Sequence, residues 1–287
     1  MRFFEYSEPA TLDEALSLLQ IGQGQACLFA GGTDLMVQMK EHIYQPDRVI
    51  NIKKIPGMDD FNYDKLNGLI LGALVTTREV ETSKITQQHY ASLCRAATDF
   101  ASIQIRNRAT VVGNVCRASP SADTLPPLIA DGAILRIHGP QGQRTASIEE
   151  FCVGPGKTSL GAEEIVTHIV VPPPAPNTGK AYIKHGRRVQ MELATVGVAV
   201  TITLQGNNCS RIDIVLAAVA PTPFRARNAE AQLRCKSINT AVIAAAAQAA
   251  SDEARPISDV RGSASYRREM VKVLTRRAIE QAIEGAR

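Results

Sequence analysis

Two short segments rich in glycine and small polar residues carry the chemistry available to this sequence. The first is Ala30-Gly31-Gly32-Thr33-Asp34, which lies between a predicted strand and a predicted helix. Glycines allow the backbone to turn sharply and present bare N–H groups, and the start of a helix favours an anion. The segment can therefore cradle a phosphate, although a strand-to-helix turn also uses paired glycines for geometry alone.

The second segment is Thr110-Val111-Val112-Gly113-Asn114, followed closely by Ala118-Ser119-Pro120-Ser121-Ala122-Asp123. Together they offer hydroxyls, an amide and a carboxylate between apolar stretches. One interpretation is a surface loop with ordinary turn chemistry. The other follows from finding two anion-friendly loops in one chain, which predicts a pyrophosphate held from both sides.

A third segment, Tyr182-Ile183-Lys184-His185-Gly186-Arg187-Arg188, concentrates positive charge. Clustered cations usually form a solvated surface. The alternative is that one of them approaches a cofactor that gains negative charge on reduction. The residues alone leave both interpretations open.

The sequence does not support nucleotide hydrolysis, Rossmann-type NAD binding or metal binding. The stretch Gly154–Thr158 resembles the end of a P-loop, but Phe151 occupies the position of the first glycine and Ser159 breaks the G-x-G-x-x-G pattern. The five histidines and six cysteines show no metal-ligand spacing, so we expect no metal bound by this chain. We name no catalytic residue in this chain.

The elements that must position these segments alternate between helix and strand. Thr11 and Glu14 form a predicted capping box at the start of the first helix. Strands at 27–30 and 49–52, separated by a helix around 35–39, predict a parallel βαβ unit. The remaining predicted elements are strands at 69–71, 133–137, 165–171, 195–204 and 212–219 and helices at 90–101, 239–252 and 266–283, with a proline-rich boundary at 172–177.

Composition sets the outer limits of the function. The chain has 287 residues, 45% of them hydrophobic, which suffices for two or three compact units. We expect no membrane span, because no apolar run approaches the roughly 20 residues that one needs. A net charge of +4 without a basic tract argues against nucleic acid as a partner. Cysteines without disulfide spacing predict free thiols and a cytoplasmic location.

In this order and spacing, the segments resemble the FAD subunits of the molybdenum hydroxylase family, which includes xanthine dehydrogenases, carbon monoxide dehydrogenase and bacterial N-heterocycle and aldehyde hydroxylases. The resemblance covers essentially the whole chain, and residues 151–160 and 220–223 are most similar to the bacterial xanthine dehydrogenase branch. The segments that carry it are TLDEAL (11–16), AGGTDL (30–35), QIRN (104–107), ASPSAD (118–123), KTSLGAEEI (157–165), KHGRR (184–188) and APTPFR (220–225).

The resemblance implies an α+β fold, with a p-cresol methylhydroxylase-type FAD-binding fold made of two α/β subdomains. A C-terminal domain of antiparallel sheet with helices would follow it. The implied bounds are 1–57 and 58–176 for the two FAD-binding subdomains and 177–287 for the C-terminal domain. It also implies a molybdopterin-binding subunit and a 2Fe-2S subunit as partners in a dimer of heterotrimers, with NAD or another electron acceptor.

The resemblance further implies a set of FAD-binding residues. The pyrophosphate would lie against the first turn and the second loop, and Asp123 would accept hydrogen bonds from ribityl or ribose hydroxyls. Ile165 and Val166 would lie along the adenine, Phe100 would face the isoalloxazine, and Lys184 would approach the flavin ring. The residues of the two pyrophosphate segments are Ala30, Gly31, Gly32, Thr33, Asp34, Thr110, Gly113 and Asn114.

One position departs from the family's pattern. The family usually has two glycines in the second loop, whereas this sequence has Val112-Gly113. Either the loop adopts negative φ at Val112, or flavin binding is weaker than the family's. Arg117 replaces a small polar residue and is a candidate to pair with a phosphate.

Two other classes of function stay open. The chain can be a self-contained FAD oxidoreductase of the same fold, or a scaffold subunit that holds no flavin. No histidine or cysteine stands beside the Ala30–Asp34 turn in the sequence, so we expect any FAD to be bound non-covalently.

Overall fold

The computed structural model describes residues 2–188 and 191–287, and its N-terminal part is a small parallel sheet. The predicted parallel pair is confirmed, and a third strand of three residues, which is too short to show an alternating pattern, joins it in the order β1-β3-β2. Thr11 accepts the N–H of Glu14 at 3.2 Å as predicted, whereas the Glu14 carboxylate accepts the N–H of Ala10. The elements are β1 (Glu5–Ser7), α1 (Leu12–Ile21), β2 (Ala26–Phe29), α2 (Leu35–Lys40) and β3 (Arg48–Asn51).

The middle part folds around a five-stranded antiparallel sheet in the order β4-β5-β10-β6-β7. A 3-10 turn at Ile52–Lys54 leads into it, and β8 and β9 form a separate hairpin. The elements are β4 (Phe61–Asp64), β5 (Gly68–Gly72), α3 (Thr77–Thr82), α4 (Lys84–His89), α5 (Ala91–Asp99), α6 (Ile103–Arg106), α7 (Val111–Arg117), α8 (Leu125–Ala130), β6 (Ile134–Gly139), β7 (Gly142–Ser147), α9 (Ile148–Phe151), β8 (Cys152–Gly154), β9 (Lys157–Thr158) and β10 (Ile165–Val171).

The C-terminal part is a four-stranded antiparallel sheet in the order β11-β12-β13-β14, covered by helices. The proline run 172–176 lies in the connection that leads into this sheet. The elements are β11 (Thr178–His185), β12 (Val196–Gln205), β13 (Asn208–Ala217), β14 (Phe224–Arg225), α10 (Arg227–Leu233), α11 (Thr240–Glu253) and α12 (Ala264–Ala286). The expected α+β architecture, with an antiparallel sheet and helices at the C-terminal end, is confirmed.

Two hydrophobic cores hold these parts together, and the C-terminal sheet contributes to both. Ala199 and Val215 pack into the first core with the middle sheet, while Val198 and Val200 pack into the second core under the C-terminal helices. This division follows from the alternation of side chains along a strand. Because Tyr182 pairs in register with Ala199, the same sheet face directs Tyr182 toward the first core.

Within the described residues, no helix combines the length and the apolar character that crossing a membrane requires.

Candidate functional site

One cavity of the described chain brings the two glycine-containing segments together. Its volume is about 970 Å³, at the upper end of the roughly 300–1,000 Å³ typical of ligand pockets. It is lined from the first turn, the second segment, the 119–123 stretch and β10. All the predicted cofactor-binding residues line it except Ile165 and Lys184: Ala30, Gly31, Gly32, Thr33, Asp34, Phe100, Thr110, Gly113, Asn114, Asp123 and Val166.

The turn between β2 and α2 presents backbone N–H groups to this cavity. Within the described residues, the N–H groups from Gly31 to Asp34 donate no hydrogen bond to any other group of the chain. Gly32 has a φ of +73°, and a Cβ on Gly31 would lie 2.2 Å from the carbonyl oxygen of Arg108. The turn therefore needs both glycines, and its unpaired N–H groups suit the oxygens of a pyrophosphate.

The second segment is the first turn of a helix rather than a loop. Thr110 precedes α7, and its Oγ1 accepts the N–H of Gly113 at 3.0 Å. Val111, Val112 and Val115 are buried on the core side of this helix, which explains why a segment interpreted as a loop becomes helical. The Oδ1 of Asn114 accepts a hydrogen bond from the Thr124 hydroxyl at 2.7 Å, which orients the amide at the cavity wall.

Val112 fits its position without strain. It lies in α7 and is not among the described residues with positive φ, so a side chain is tolerated there. Its side chain lines the cavity and also belongs to the first hydrophobic core, with 4% exposure. Of the two alternatives that the sequence raised, the structure therefore shows negative φ at this residue.

Val112→Gly should consequently lower the free energy of unfolding while leaving the FAD affinity of the folded protein unchanged or higher. Burying a valine contributes about 1.5–3 kcal/mol, and glycine in a helix costs up to about 1 kcal/mol more. We therefore expect a loss of about 2–4 kcal/mol in denaturant unfolding. FAD affinity is read from quenching of flavin fluorescence.

Val111→Gly is the matched control, because Val111 is fully buried but does not line the cavity. The two variants should lose similar stability. If Val112→Gly alone loses FAD affinity, the valine makes a favourable contact with the cofactor and the expectation is wrong.

An ion pair joins the two segments across the cavity. The Arg117 Nε lies 2.5 Å from the Asp34 Oδ2, and Gln38 also donates to that carboxylate. In this structure, the partner of Arg117 is therefore a side chain from the first turn. The pair links the turn before α2 to the helix α7 through two side chains that are about half exposed.

Asp123 lines the cavity and is the centre of a buried polar network. Its Oδ1 accepts the hydroxyl of Tyr182 at 2.8 Å and its Oδ2 accepts the Lys184 Nζ at 2.8 Å. Lys184 also donates to the carbonyl oxygen of Asp99 at 3.1 Å. The side chains of the ion pair are only 9% and 6% exposed. Burial raises the pKa of Asp123 even though the Lys184 ammonium acts in the opposite direction.

The structure separates the three cations of the third segment. Lys184 points inward from β11, whereas Arg187 and Arg188 are exposed. Tyr182 is not among the predicted site residues, although it stands two positions from Lys184 and residues at that spacing share one face of a strand. Burial, followed by the neighbouring Asp123, raises the pKa of Tyr182 well above its ordinary value. Tyr182 therefore serves as a hydrogen-bond donor.

The remaining predicted residues divide between the cavity and the core. Phe100 follows α5 and lines the cavity, and its carbonyl oxygen accepts a hydrogen bond from Arg106. Val166 also lines it, whereas Ile165 is fully buried in the first core. Successive side chains of β10 point to opposite faces, so only one of these two can reach the cavity.

Two cysteines also line the cavity, although nothing in the linear sequence indicates that they do. Cys27 comes from β2 and Cys116 from α7. Burial raises the pKa of each thiol to about 12, which disfavours the thiolate that covalent attachment would need. The reason for expecting a non-covalent cofactor is therefore the protonation of nearby thiols rather than their absence. No cluster of potential metal ligands occurs in the described parts of the chain.

Comparison with known proteins identifies the family. The family described as the FAD binding domain in molybdopterin dehydrogenase matches residues 2–174. The family described as the CO dehydrogenase flavoprotein C-terminal domain matches residues 180–282. Together the two descriptions cover nearly all of the chain.

Relatives match along their full length. The xanthine dehydrogenase FAD-binding subunit of Escherichia coli O157:H7 is 33% identical over 99% of this chain and 97% of its own. Carbon monoxide dehydrogenase from Hydrogenophaga pseudoflava matches in structure with a TM-score of 0.94 and 35% identity, covering 98% of this chain and 97% of that one. Quinoline 2-oxidoreductase from Pseudomonas putida 86 has a TM-score of 0.92 at 27% identity, covering 100% and 99%. The chain therefore belongs to the FAD-binding medium subunits of the molybdenum hydroxylase family of oxidoreductases.

Proposed function

We propose that this chain holds FAD in the cavity between its first turn and α7 and relays electrons through it. The observation that carries the proposal is the convergence of unpaired backbone N–H groups at Gly31–Asp34 and the capped start of α7 on one cavity. When bound, FAD supplies an acceptor for electrons that it can pass on in pairs or singly. The chain's own residues bind it, orient it and surround it with a defined charge.

In this proposal the predicted residues that line the cavity have distinct tasks, and Lys184 sets the charge near the flavin ring through its pair with Asp123. Ala30, Gly31, Gly32, Thr33 and Asp34 hold the pyrophosphate from one side. Thr110, Gly113 and Asn114 hold it from the other side. Val166 lies along the adenine and Phe100 along the isoalloxazine. Asp123 keeps acceptor capacity for a cofactor hydroxyl in addition to its two partners, because a carboxylate has about four lone-pair sites.

The electron path extends to other subunits. We infer that a molybdopterin-binding subunit oxidises the substrate and that a 2Fe-2S subunit passes the electrons to this flavin, which reduces NAD or another acceptor. A purine is the first choice of substrate, because residues 151–160 resemble the xanthine dehydrogenase branch. The assembly would be a cytoplasmic dimer of heterotrimers. We also propose domain boundaries at 57/58 and 176/177. The second boundary is supported by the two family matches, of which one ends at 174 and the other begins at 180.

The visible spectrum of the purified complex and its metal content test these alternatives together. Flavin absorption with co-purifying molybdenum and iron is expected. Flavin without those metals would favour a self-contained FAD oxidoreductase of the same fold. A colourless chain within a molybdenum complex would favour a scaffold subunit.

We predict about one non-covalent FAD per chain. The partly buried thiols of Cys27 and Cys116 are protonated at neutral pH because desolvation raises their pKa to about 12, so neither is a good nucleophile. Acid precipitation should release the yellow colour into the supernatant, where FAD is quantified by absorbance. Colour that stays with the precipitate would contradict non-covalent binding.

A further inference from the structure

The C-terminal sheet brings two cysteines to neighbouring backbone positions, far along the chain from each other. The N–H of Cys235 donates to the carbonyl oxygen of Cys209 at 2.8 Å. The N–H of Cys209 donates to the carbonyl oxygen of Lys236 at 3.0 Å. Asn208 and Ser237 form the adjacent antiparallel bridge. Two residues of one segment therefore oppose a single residue of the other, which defines a β-bulge.

Cys235 occupies the bulge position that favours glycine. In a G1 bulge, the first of the two residues that oppose a single residue has positive φ, and Cys235 has a φ of +61°. Side chains with a Cβ are disfavoured there. Backbone geometry alone would select glycine at this position, whereas this chain has a thiol.

The backbone placement of the two cysteines and the exposure of one of them are suited to a two-step oxidation. Residues that face each other on antiparallel strands have Cα atoms about 4.5–5.5 Å apart, inside the roughly 4.4–6.8 Å range of disulfides. Of the six cysteines, all of which lie in the described parts of the chain, Cys235 is the exposed one. Cys209 is fully buried, and its Sγ donates to the carbonyl oxygen of Arg211 at 3.4 Å.

We propose that Cys209 and Cys235 form a thiol pair that a peroxide converts to an intrachain disulfide. The Cys235 sulfur attacks one peroxide oxygen, the O–O bond breaks, and a sulfenic acid and water form. The Cys209 sulfur then attacks the Cys235 sulfur, the S–O bond breaks, and a second water leaves. Overall, two thiols lose two electrons and the peroxide is reduced to two waters.

The second step should be slow near neutral pH. Burial raises the pKa of Cys209 to about 11, and the nearby Cys235 thiol and Asp213 carboxylate act in the same direction while Arg234 opposes them. Since the thiolate is the nucleophile, the rate of closure should rise about tenfold per pH unit between pH 7 and 9.

The test is peroxide treatment of the full-length chain in its native complex, after reduction and removal of reductant. Free thiols are then alkylated and peptides are mapped without reduction by mass spectrometry. We expect a Cys209–Cys235 cross-link that is lost in Cys235→Ser. The link should persist in Cys94→Ser, which removes a partly buried thiol elsewhere.

Three results would overturn the proposal. In the first, peroxide converts Cys235 to a sulfinic acid while Cys209 can still be alkylated after denaturation. In the second, Cys235 forms a disulfide with a second chain. In the third, the rate of disulfide formation does not depend on pH. Cys235→Gly adds a control in which folding is not at risk. Because glycine suits the positive φ, the melting temperature of this variant under reducing conditions should rise by about 1–4 °C, and the cross-link should disappear.

Discussion

Gly31→Ala should purify as a folded chain that has lost most of its FAD. The added Cβ would lie 2.2 Å from the Arg108 carbonyl oxygen and 3.0 Å from the Ala109 Cα, so the backbone of the turn must move. Hydrogen bonds to a charged group contribute about 1.5–3 kcal/mol each. Displacing two N–H groups from the pyrophosphate would weaken FAD binding by about 3–6 kcal/mol, which is at least a hundredfold. Flavin content after gel filtration and titration of the apoprotein with FAD measure the effect.

Gly154→Ala is the matched control for Gly31→Ala, because Gly154 has no close neighbour. A Cβ there would have Lys157 Cβ as its nearest atom, at an ordinary 3.9 Å. That variant should retain its full flavin content. Circular dichroism distinguishes loss of FAD from loss of fold in Gly31→Ala. A folded Gly31→Ala protein with undiminished FAD affinity would mean that the turn does not hold the pyrophosphate.

Asp123→Asn should raise the midpoint potential of the bound flavin. In the native chain the buried Lys184 ammonium is compensated by Asp123 at 2.8 Å, so the pair has little net charge. Asparagine leaves the ammonium uncompensated, and a nearby positive charge favours the negative charge gained on reduction. At an effective dielectric near 20, a unit charge about 5 Å away is worth about 3 kcal/mol before desolvation is subtracted. A net 1–2 kcal/mol corresponds to about 20–45 mV for a two-electron couple.

Lys184→Met should act in the opposite direction and depend on pH. Removing one partner of a buried ion pair costs about 3–5 kcal/mol of stability, because it leaves an uncompensated charge. Burial already raises the pKa of Asp123, and loss of the ammonium removes the main opposing effect. At low pH the Asp123 carboxyl of the variant is neutral. The native Asp123–Lys184 pair also has little net charge, so the flavin potential should differ little from that of the native protein. As the pH rises through its pKa, the carboxylate forms and the potential should fall by tens of millivolts below that of the native protein.

Arg187→Met and Arg188→Met are the controls for general surface charge. Both side chains are exposed, and solvent screening keeps their effect on potential and stability small. Potentials are measured by dye-linked redox titration between pH 6 and 9, and stability by denaturant unfolding. If the arginine variants shift the potential as far as Lys184→Met, or if Asp123→Asn leaves it unchanged, the buried pair has no special influence on the flavin.

The sequence alone determined the features that depend on neighbours within a few residues. Paired glycines before an apolar helix indicated a turn with bare N–H groups, and Thr11 and Glu14 indicated the start of α1. The hydrophobic periods of the C-terminal helices and strands placed those elements to within a few residues. These patterns work because capping, turn geometry and side-chain periodicity are local properties of the backbone.

Only the tertiary structure decided which of these local features meet. The pairing of β11 with β12 turned Lys184 inward and left Arg187 outside, a choice that charge composition alone does not contain. Asp123 and Lys184 are paired although they are 61 positions apart. The burial of three valines on one side made the second segment a helix with negative φ at Val112. Sheet register and core packing depend on contacts between distant segments, so the charge, protonation and backbone conformation of the site emerge only when those segments are assembled.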